Sequence, residues 1–310
     1  MGRAAIVIAT RASPLALWQA EHVRDRLRQA HPGLEVDLLQ LTTRGDQVLD
    51  RSLAQIGGKG LFVKELEVAL ADRRADLAVH SFKDVPMLLE AQFEIGAVLE
   101  REDPRDCFVS PRFGALEDLP QGSRVGTSSL RRELAVRIHH PGLQVGPVRG
   151  NVGTRMAKLD RGEFDALIMA AAGLKRLGMA DRIRAILSPT QFLPAPAQGA
   201  LAIEIRAGDR EVGAWIAHLE HRETRAATSA ERAVSRALGG NCQIPLAAYA
   251  EVQNGRLSLR AWAGSVVLGQ AVVGQASGPM DQPDALGREV VEQMRAQGVE
   301  RLLTAAPEAA

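Results

Sequence analysis

Lys64-Glu65-Leu66-Glu67-Val68-Ala69-Leu70-Ala71-Asp72-Arg73-Arg74-Ala75 leads directly into Asp76-Leu77-Ala78-Val79. Further along, Thr154-Arg155-Met156-Ala157-Lys158-Leu159-Asp160-Arg161-Gly162-Glu163-Phe164 leads into Asp165-Ala166-Leu167-Ile168. Each first part is helical in character, and each second part is a short apolar run of the kind a buried strand needs. A helix feeding a buried strand, met twice, indicates an α/β plan laid down in two copies.

The flanks extend the match. Ala4 to Ala9 reads as a strand, Pro14 opens a helix to about Ala30 with Ser13 as its N-cap, and Val36 to Gln40 reads as the next strand. In the second copy Arg124 to Gly126 ends a strand, Thr127-Ser128-Ser129 caps a helix to about His140, and Asn151 to Arg161 is helical. Ala9-Thr10-Arg11-Ala12-Ser13 and Gly126-Thr127-Ser128-Ser129 therefore each carry a strand into a hydroxyl-capped helix start. Helix N-termini present free N–H groups and partial positive charge, so two such turns facing a cleft would clamp an anion. Ordinary capping accounts for either turn alone.

After about Arg222 the pattern changes. A helix from Glu223 to Leu238 precedes the turn Gly239-Gly240-Asn241-Cys242-Gln243-Ile244-Pro245, where two glycines and a proline present the Cys242 thiol. Three β-like runs follow, Leu246 to Val252, Arg256 to Ala263 and Val266 to Val273, with Asn254-Gly255 as a hairpin turn between the first two. A helix over about Asp284 to Gln297 covers them. The expected division is one α/β lobe from 1–100 with 200–220, a second from 101–199, and a small α+β domain from 221–310. Thr42 to Gly60 has little periodicity and reads as a binding loop or lid, and Gly57-Gly58-Lys59-Gly60 within it lacks the Ser or Thr and the glycine spacing of a P-loop.

Composition narrows the function classes. The chain has 310 residues, 38 basic against 37 acidic, with one Tyr, three Trp and seven Phe. Near-neutrality and few aromatic side chains argue against a nucleic-acid binder. Two cysteines, Cys107 and Cys242, give no disulfide framework, and no apolar run approaches the ~20 residues that span a bilayer. The expectation is a cytoplasmic, soluble protein acting on a small molecule, without nucleic acid, membrane or metal. Cys107 is expected in the core.

Seven basic residues sit beside Ser, Thr or Gly at element boundaries: Arg11, Lys83, Arg131, Arg132, Arg149, Arg155 and Arg176. Converging forked donors suit a ligand carrying several carboxylates. Asp84 follows Lys83 and is the acid that stands among them. Beside such cations it should stay ionised and could stabilise a cationic reacting group.

At these residues the chain resembles the porphobilinogen deaminase family over essentially its whole length. The resemblance rests on Thr10-Arg11-Ala12-Ser13-Pro14-Leu15-Ala16, Gly57 to Phe62, His80-Ser81-Phe82-Lys83-Asp84-Val85-Pro86 and Gly126 to Arg132. It continues through Arg149 to Arg155, Leu174-Lys175-Arg176-Leu177, Pro196-Ala197-Gln198-Gly199 and Glu231-Arg232 with the Cys242 turn. Asn241 and Gln55 depart from the family's pattern, standing where a small residue and a Lys are usual.

The resemblance implies two lobes like those of periplasmic binding proteins, plus a third domain carrying the cysteine. It implies a dipyrromethane cofactor joined to Cys242 by a thioether, and head-to-tail condensation of four porphobilinogen molecules, with loss of ammonia, to give hydroxymethylbilane. A monomer is the separate expectation for the chain. Asp84 would be catalytic and touch the cofactor. Lys83, Thr127, Ser129, Arg131 and Arg132 would hold the cofactor, and Arg11, Ser13, Arg149, Arg155, Arg176, Lys59 and Phe62 would contact substrate. A reading from another class is a non-catalytic protein whose two lobes clamp a polyanionic solute, with Cys242 inert.

Overall fold

The structure, a computed structural model, describes residues 5–43, 63–239 and 244–304. The chain divides into two compact units, Met1–Glu102 with Gly199–Arg225, and Asp103–Gln198 with Ala226–Ala310.

The first unit begins with β1 (Ala5–Arg11), β2 (Glu35–Leu41), β3 (Leu77–Ser81) and β4 (Phe93–Val98). The second contributes β5 (Asp106–Val109), β6 (Arg124–Gly126), β7 (Gln144–Gly146), β8 (Ala166–Ala170) and β9 (Ala185–Ile186). The chain then returns to the first unit as β10 (Leu201–Arg206).

The two sheets have the same plan. One runs β2-β1-β3-β10-β4 and the other β7-β6-β8-β5-β9. In each, three strands are parallel and the fourth is antiparallel to both its neighbours. That antiparallel strand is the first one laid down after the chain passes from one unit to the other, β5 outward and β10 on return. Helices bury both faces of the first sheet. Ala20, Val23 and Leu27 of the helix Pro14–Ala30 pack on Ile6, Ile8, Val79 and Ile203, and Leu66, Ala69 and Leu70 of the helix Lys64–Ala71 pack with Ala9, Ala78 and Phe93.

The duplicated helix-to-strand passages agree at single residues. After Lys64–Ala71 the Arg74 N–H bonds the Ala69 carbonyl (2.9 Å) and the Arg73 N–H the Leu70 carbonyl (3.1 Å). After the helix Val152–Asp160, the Glu163 N–H bonds Lys158 (3.1 Å) and the Gly162 N–H Leu159 (2.9 Å). These are the paired bonds of a left-handed helix stop, with φ +57° at Arg73 and +77° at Gly162. Three residues on, Asp76 Oδ2 accepts from the Val7 N–H (2.9 Å) and Asp165 Oδ2 from the Arg124 N–H (2.8 Å). Both aspartates tie the new strand to the start of its neighbour.

The third sheet is β11 (Leu246–Gln253), β12 (Arg256–Ser265) and β13 (Gln270–Pro279), antiparallel throughout. Asn254 and Gly255 both have positive φ, as the hairpin turn requires. Helices Arg222–Ala237 and Pro283–Ala296 cover one face through Ala230, Val234, Val290 and Met294. One strand expectation needs correction. The first half of the run Val266 to Val273 is turn, and the strand begins at Gln270, because β12 extends to Ser265 and Gly269 (φ +62°) reverses the chain. A short helix, Val299–Thr304, follows the expected last one.

Candidate functional site

In the first unit β1 ends at Arg11 and hands over to the helix capped by Ser13, whose Oγ accepts from the Ala16 N–H (3.4 Å). Thr10 is buried, and its hydroxyl bonds the Ala16 carbonyl (3.0 Å), fixing the turn. On the adjacent strand, β3 ends at Ser81 in a single 3-10 turn, Phe82–Asp84. Buried Phe82 and Val85 anchor that turn, leaving Lys83 half-buried and Asp84 exposed. Arg11, Ser13, Gln19, His80, Ser81 and Asp84 line one cavity of about 60 Å³. Three of the expected residues, Arg11, Ser13 and Asp84, are thus brought together.

Beneath this cavity lies a buried polar pair. His80 Nε2 is 2.8 Å from Glu204 Oε2 on β10, and the other Glu204 oxygen has no hydrogen-bond partner among the described residues. Burial, together with the charges of Glu204 and Glu90, raises the nearby Glu67 carboxyl to about 7.

In the second unit Thr127 and Ser129 lie at the N-terminus of the helix Leu130–His139. Ser129 Oγ accepts from the Arg132 N–H (3.4 Å) and Thr127 Oγ1 from the Ser129 N–H (3.2 Å). Arg131 and Arg132 follow and are buried, at 4% and 6% exposure. Both guanidiniums converge on Asp106 of β5, which is fully buried. Arg131 reaches Oδ2 at 2.7 Å and Oδ1 at 3.1 Å, and Arg132 reaches Oδ1 at 2.8 Å. Gln198 Nε2 donates to the same Oδ1 (2.8 Å) and to the Pro104 carbonyl (2.7 Å). Burial alone would raise the Asp106 carboxyl, but the two guanidiniums hold it well below the ordinary carboxylate range. Asp84 is therefore not the sole acid among the basic motifs. Arg132 Nε is buried without a hydrogen-bond partner among the described residues.

Arg149 is half-buried just before Gly150, whose φ of +104° bends the chain into the helix capped by Asn151. Arg155 Nε bonds the Gly150 carbonyl (2.8 Å), which holds this guanidinium at the same helix start. Arg176 ends the helix Ala171–Arg176. Its neighbour Lys175 shares Asp103 (3.2 Å) with Arg105 (2.8 Å).

Glu231, fully buried on Arg222–Ala237, accepts from the Ala197 N–H (2.6 Å) and the Ala250 N–H (2.8 Å). It supports the Pro196-Ala197-Gln198 turn, where Ala197 has φ +61°. Cys107 is fully buried, and burial pushes its thiol up to about 12. Cys242, Asn241, Lys59, Phe62, Gln55 and residues 44–60 of the expected lid lie outside the described residues.

The model of the porphobilinogen deaminase dipyromethane cofactor binding domain matches residues 6–214, and that of the porphobilinogen deaminase C-terminal domain matches 226–296. The chain belongs to the porphobilinogen deaminase family. It is 57% identical over 298 residues to the porphobilinogen deaminase of Bordetella parapertussis, covering 96% of this chain and 95% of the relative. Over 302 residues it is 55% identical to that of Thiobacillus denitrificans, covering 97% and 99%. Among solved structures it is similar to the methionine-binding protein MetQ, with TM-score 0.45 and 13% identity over 71% of this chain and 92% of that one. As a porphobilinogen deaminase family member, the chain is a transferase of tetrapyrrole biosynthesis that takes porphobilinogen and carries a dipyrromethane cofactor.

Sequence reasoning missed Asp106, Glu204 and Glu231 as elements of this region. Glu231 and Gln198 lie within motifs that mark the family, but their bonds are made to residues remote in the chain. Asp106 lies in Arg105-Asp106-Cys107, where an arginine beside it suggests a local ion pair. That arginine is instead committed to Asp103.

Proposed function

We propose that this chain condenses four porphobilinogen molecules head to tail on a dipyrromethane bound through a thioether at Cys242, losing ammonia each time and releasing hydroxymethylbilane. The observation that carries the assignment of roles is the shared cavity of Arg11, Ser13 and Asp84. It sets a fixed anion beside a carboxylate-binding cation. Arg11 holds a substrate carboxylate, and Asp84 places negative charge where a pyrrole nitrogen becomes positive. That is electrostatic stabilisation with the sign opposite to an oxyanion hole.

The second unit's residues fit the cofactor. Thr127, Ser129 and the first-turn N–H groups of a ten-residue helix form an anion-seeking end, and the partnerless Arg132 Nε is a donor held in reserve. Thr127, Ser129, Arg131 and Arg132 hold the bound group, and Lys83 and Asp84 are the further cofactor contacts that the family resemblance implies. When bound, that group supplies the pyrrole carbon on which the chain grows. Asp106 orients the two arginines, and its charge offsets one of theirs. Arg149, Arg155 and, in a supporting role, Arg176 hold substrate carboxylates, joined by Ser13, Lys59 and Phe62.

The proposed division is a lobe from 1–100 with 200–220, a lobe from 101–199, and a third domain from 221–310 bearing Cys242. The separate core behind β11, β12 and β13 supports the third. A monomeric, cytoplasmic enzyme without nucleic-acid or membrane partners fits the near-neutral charge. Among the described residues no helix is long and apolar enough to cross a membrane.

Intact mass of the purified protein tests the proposal. The expected mass exceeds that of the sequence by two linked pyrrole units, and Cys242→Ala loses both the increment and the activity. Active protein at the unmodified mass rejects covalent attachment.

A further inference from the structure

The second unit carries an open groove of about 840 Å³. This volume falls within the roughly 300–1,000 Å³ of small-molecule sites. The groove lies at the outer edge of the third sheet. Ile138, Trp262, Val273 and Leu302 give it apolar surface, and two cations, Arg260 and Arg301, line it with no aspartate or glutamate.

Arg260 is unusual for its position. Along β12, Leu257, Leu259, Ala261 and Ala263 point into the core, so Arg260 and Trp262 share the opposite face of the central strand. A half-buried arginine there would ordinarily be paired. Neither Arg260 nor Arg301 has a side-chain hydrogen bond or ion pair to any described residue.

The nearest acids in sequence are committed elsewhere. Glu300, beside Arg301, pairs with Arg295 (3.0 Å), and Glu251 accepts from the Tyr249 hydroxyl (3.1 Å). Burial and its neighbour His140 lower the pKa of His139, which also lines the groove. The positive charge is therefore that of the two arginines.

The edge strand argues against an added peptide strand as occupant. The Gln297 side chain bonds both the Val273 N–H (3.4 Å) and its carbonyl (2.7 Å), and Gln293 takes the Gln275 N–H (3.0 Å). The main-chain groups of Val273 and the Gln275 N–H, which strand addition at this point would use, are already taken.

We propose that this groove is a second ligand site, separate from the condensation machinery, for a small aromatic dicarboxylate. Its apolar body lies against Trp262, Ile138 and Val273, and its carboxylates pair with Arg260 and Arg301. Naphthalene-2,6-dicarboxylate is a suitable probe, titrated into the cofactor-loaded protein by calorimetry.

The expected result is one site per chain, weakened about 10-fold or more by either Arg260→Gln or Arg301→Gln. Porphobilinogen turnover without probe is unchanged in both variants. Arg301 is exposed, so its replacement leaves the fold intact and reads the site even if Arg260→Gln does not fold. Three outcomes overturn the proposal: no binding in the millimolar range, undiminished binding in Arg301→Gln, which places the probe elsewhere, or equal binding of the uncharged naphthalene-2,6-dicarboxamide, which marks an apolar cleft only.

Discussion

Arg131 Nη1 lies 2.7 Å from Asp106 Oδ2, with the aspartate wholly buried and the arginine nearly so. A buried pair adds little over an apolar substitute, but breaking it strands a charge, at about 3–5 kcal/mol. Arg131→Leu and Asp106→Asn should therefore both destabilise the protein by that order, measurable by denaturant unfolding. The carboxyl is held below its unfolded value, so the stabilisation is present above the ordinary carboxylate range and is lost as pH falls beneath it. Arg131→Leu at wild-type stability would show that Asp106 does not depend on this partner.

Asp84 is exposed and has no such structural burden. Asp84→Asn keeps its shape without charge and should lower turnover by about 100-fold or more, while folding and substrate affinity change little. Asp84→Glu should retain more activity than Asn. Near-normal kcat with raised KM in Asp84→Asn would make it a binding contact only.

The two cysteines can be told apart by thiol titration. Cys107 is buried with its thiol raised to about 12, so it should not react in the folded protein. If Cys242 is blocked by a thioether, the loaded protein should show no reactive thiol when folded and a single one when denatured. Two thiols after denaturation would mean that Cys242 is free.

Glu67 supplies a pH signature. Its folded pKa is about 7 against an ordinary 4.5, so the folded state holds a proton that the unfolded state has lost between those values. This contribution is complete below about pH 4.5 and fades as pH rises to 7. Glu67→Gln should narrow the drop in Tm between pH 5 and pH 8 relative to wild type, as read by thermal melts. Parallel curves would show that Glu67 titrates normally.

Arg73 occupies the left-handed stop that Gly162 fills in the other unit. Its side chain is exposed, so Arg73→Gly should remove roughly 1 kcal/mol of backbone strain and raise Tm. A lower Tm would mean that the glycine's greater unfolded-state entropy outweighs that relief.

The duplicated α/β plan, the Ser13 and Ser129 caps, the Asn254-Gly255 hairpin and the place of Lys83-Asp84 at a strand end were all legible in the sequence. They depend on contacts within a few residues: a hydroxyl meeting an N–H three positions on, an apolar period, a turn needing positive φ. The β13 boundary was misplaced because Val266 and Val267 suit a strand by composition, whereas the length of β12 decides where the turn falls.

Only the tertiary structure decided which acid receives Arg131 and Arg132, which strand enters each sheet antiparallel, and what His80 touches. Asp106 is 25 residues from Arg131, and Glu204 is 124 from His80. Local sequence fixes where a guanidinium or imidazole sits on its own element. Its partner depends on which distant strand the sheet places opposite, and the low-polarity core then makes that choice binding, because a buried charge without a partner is costly.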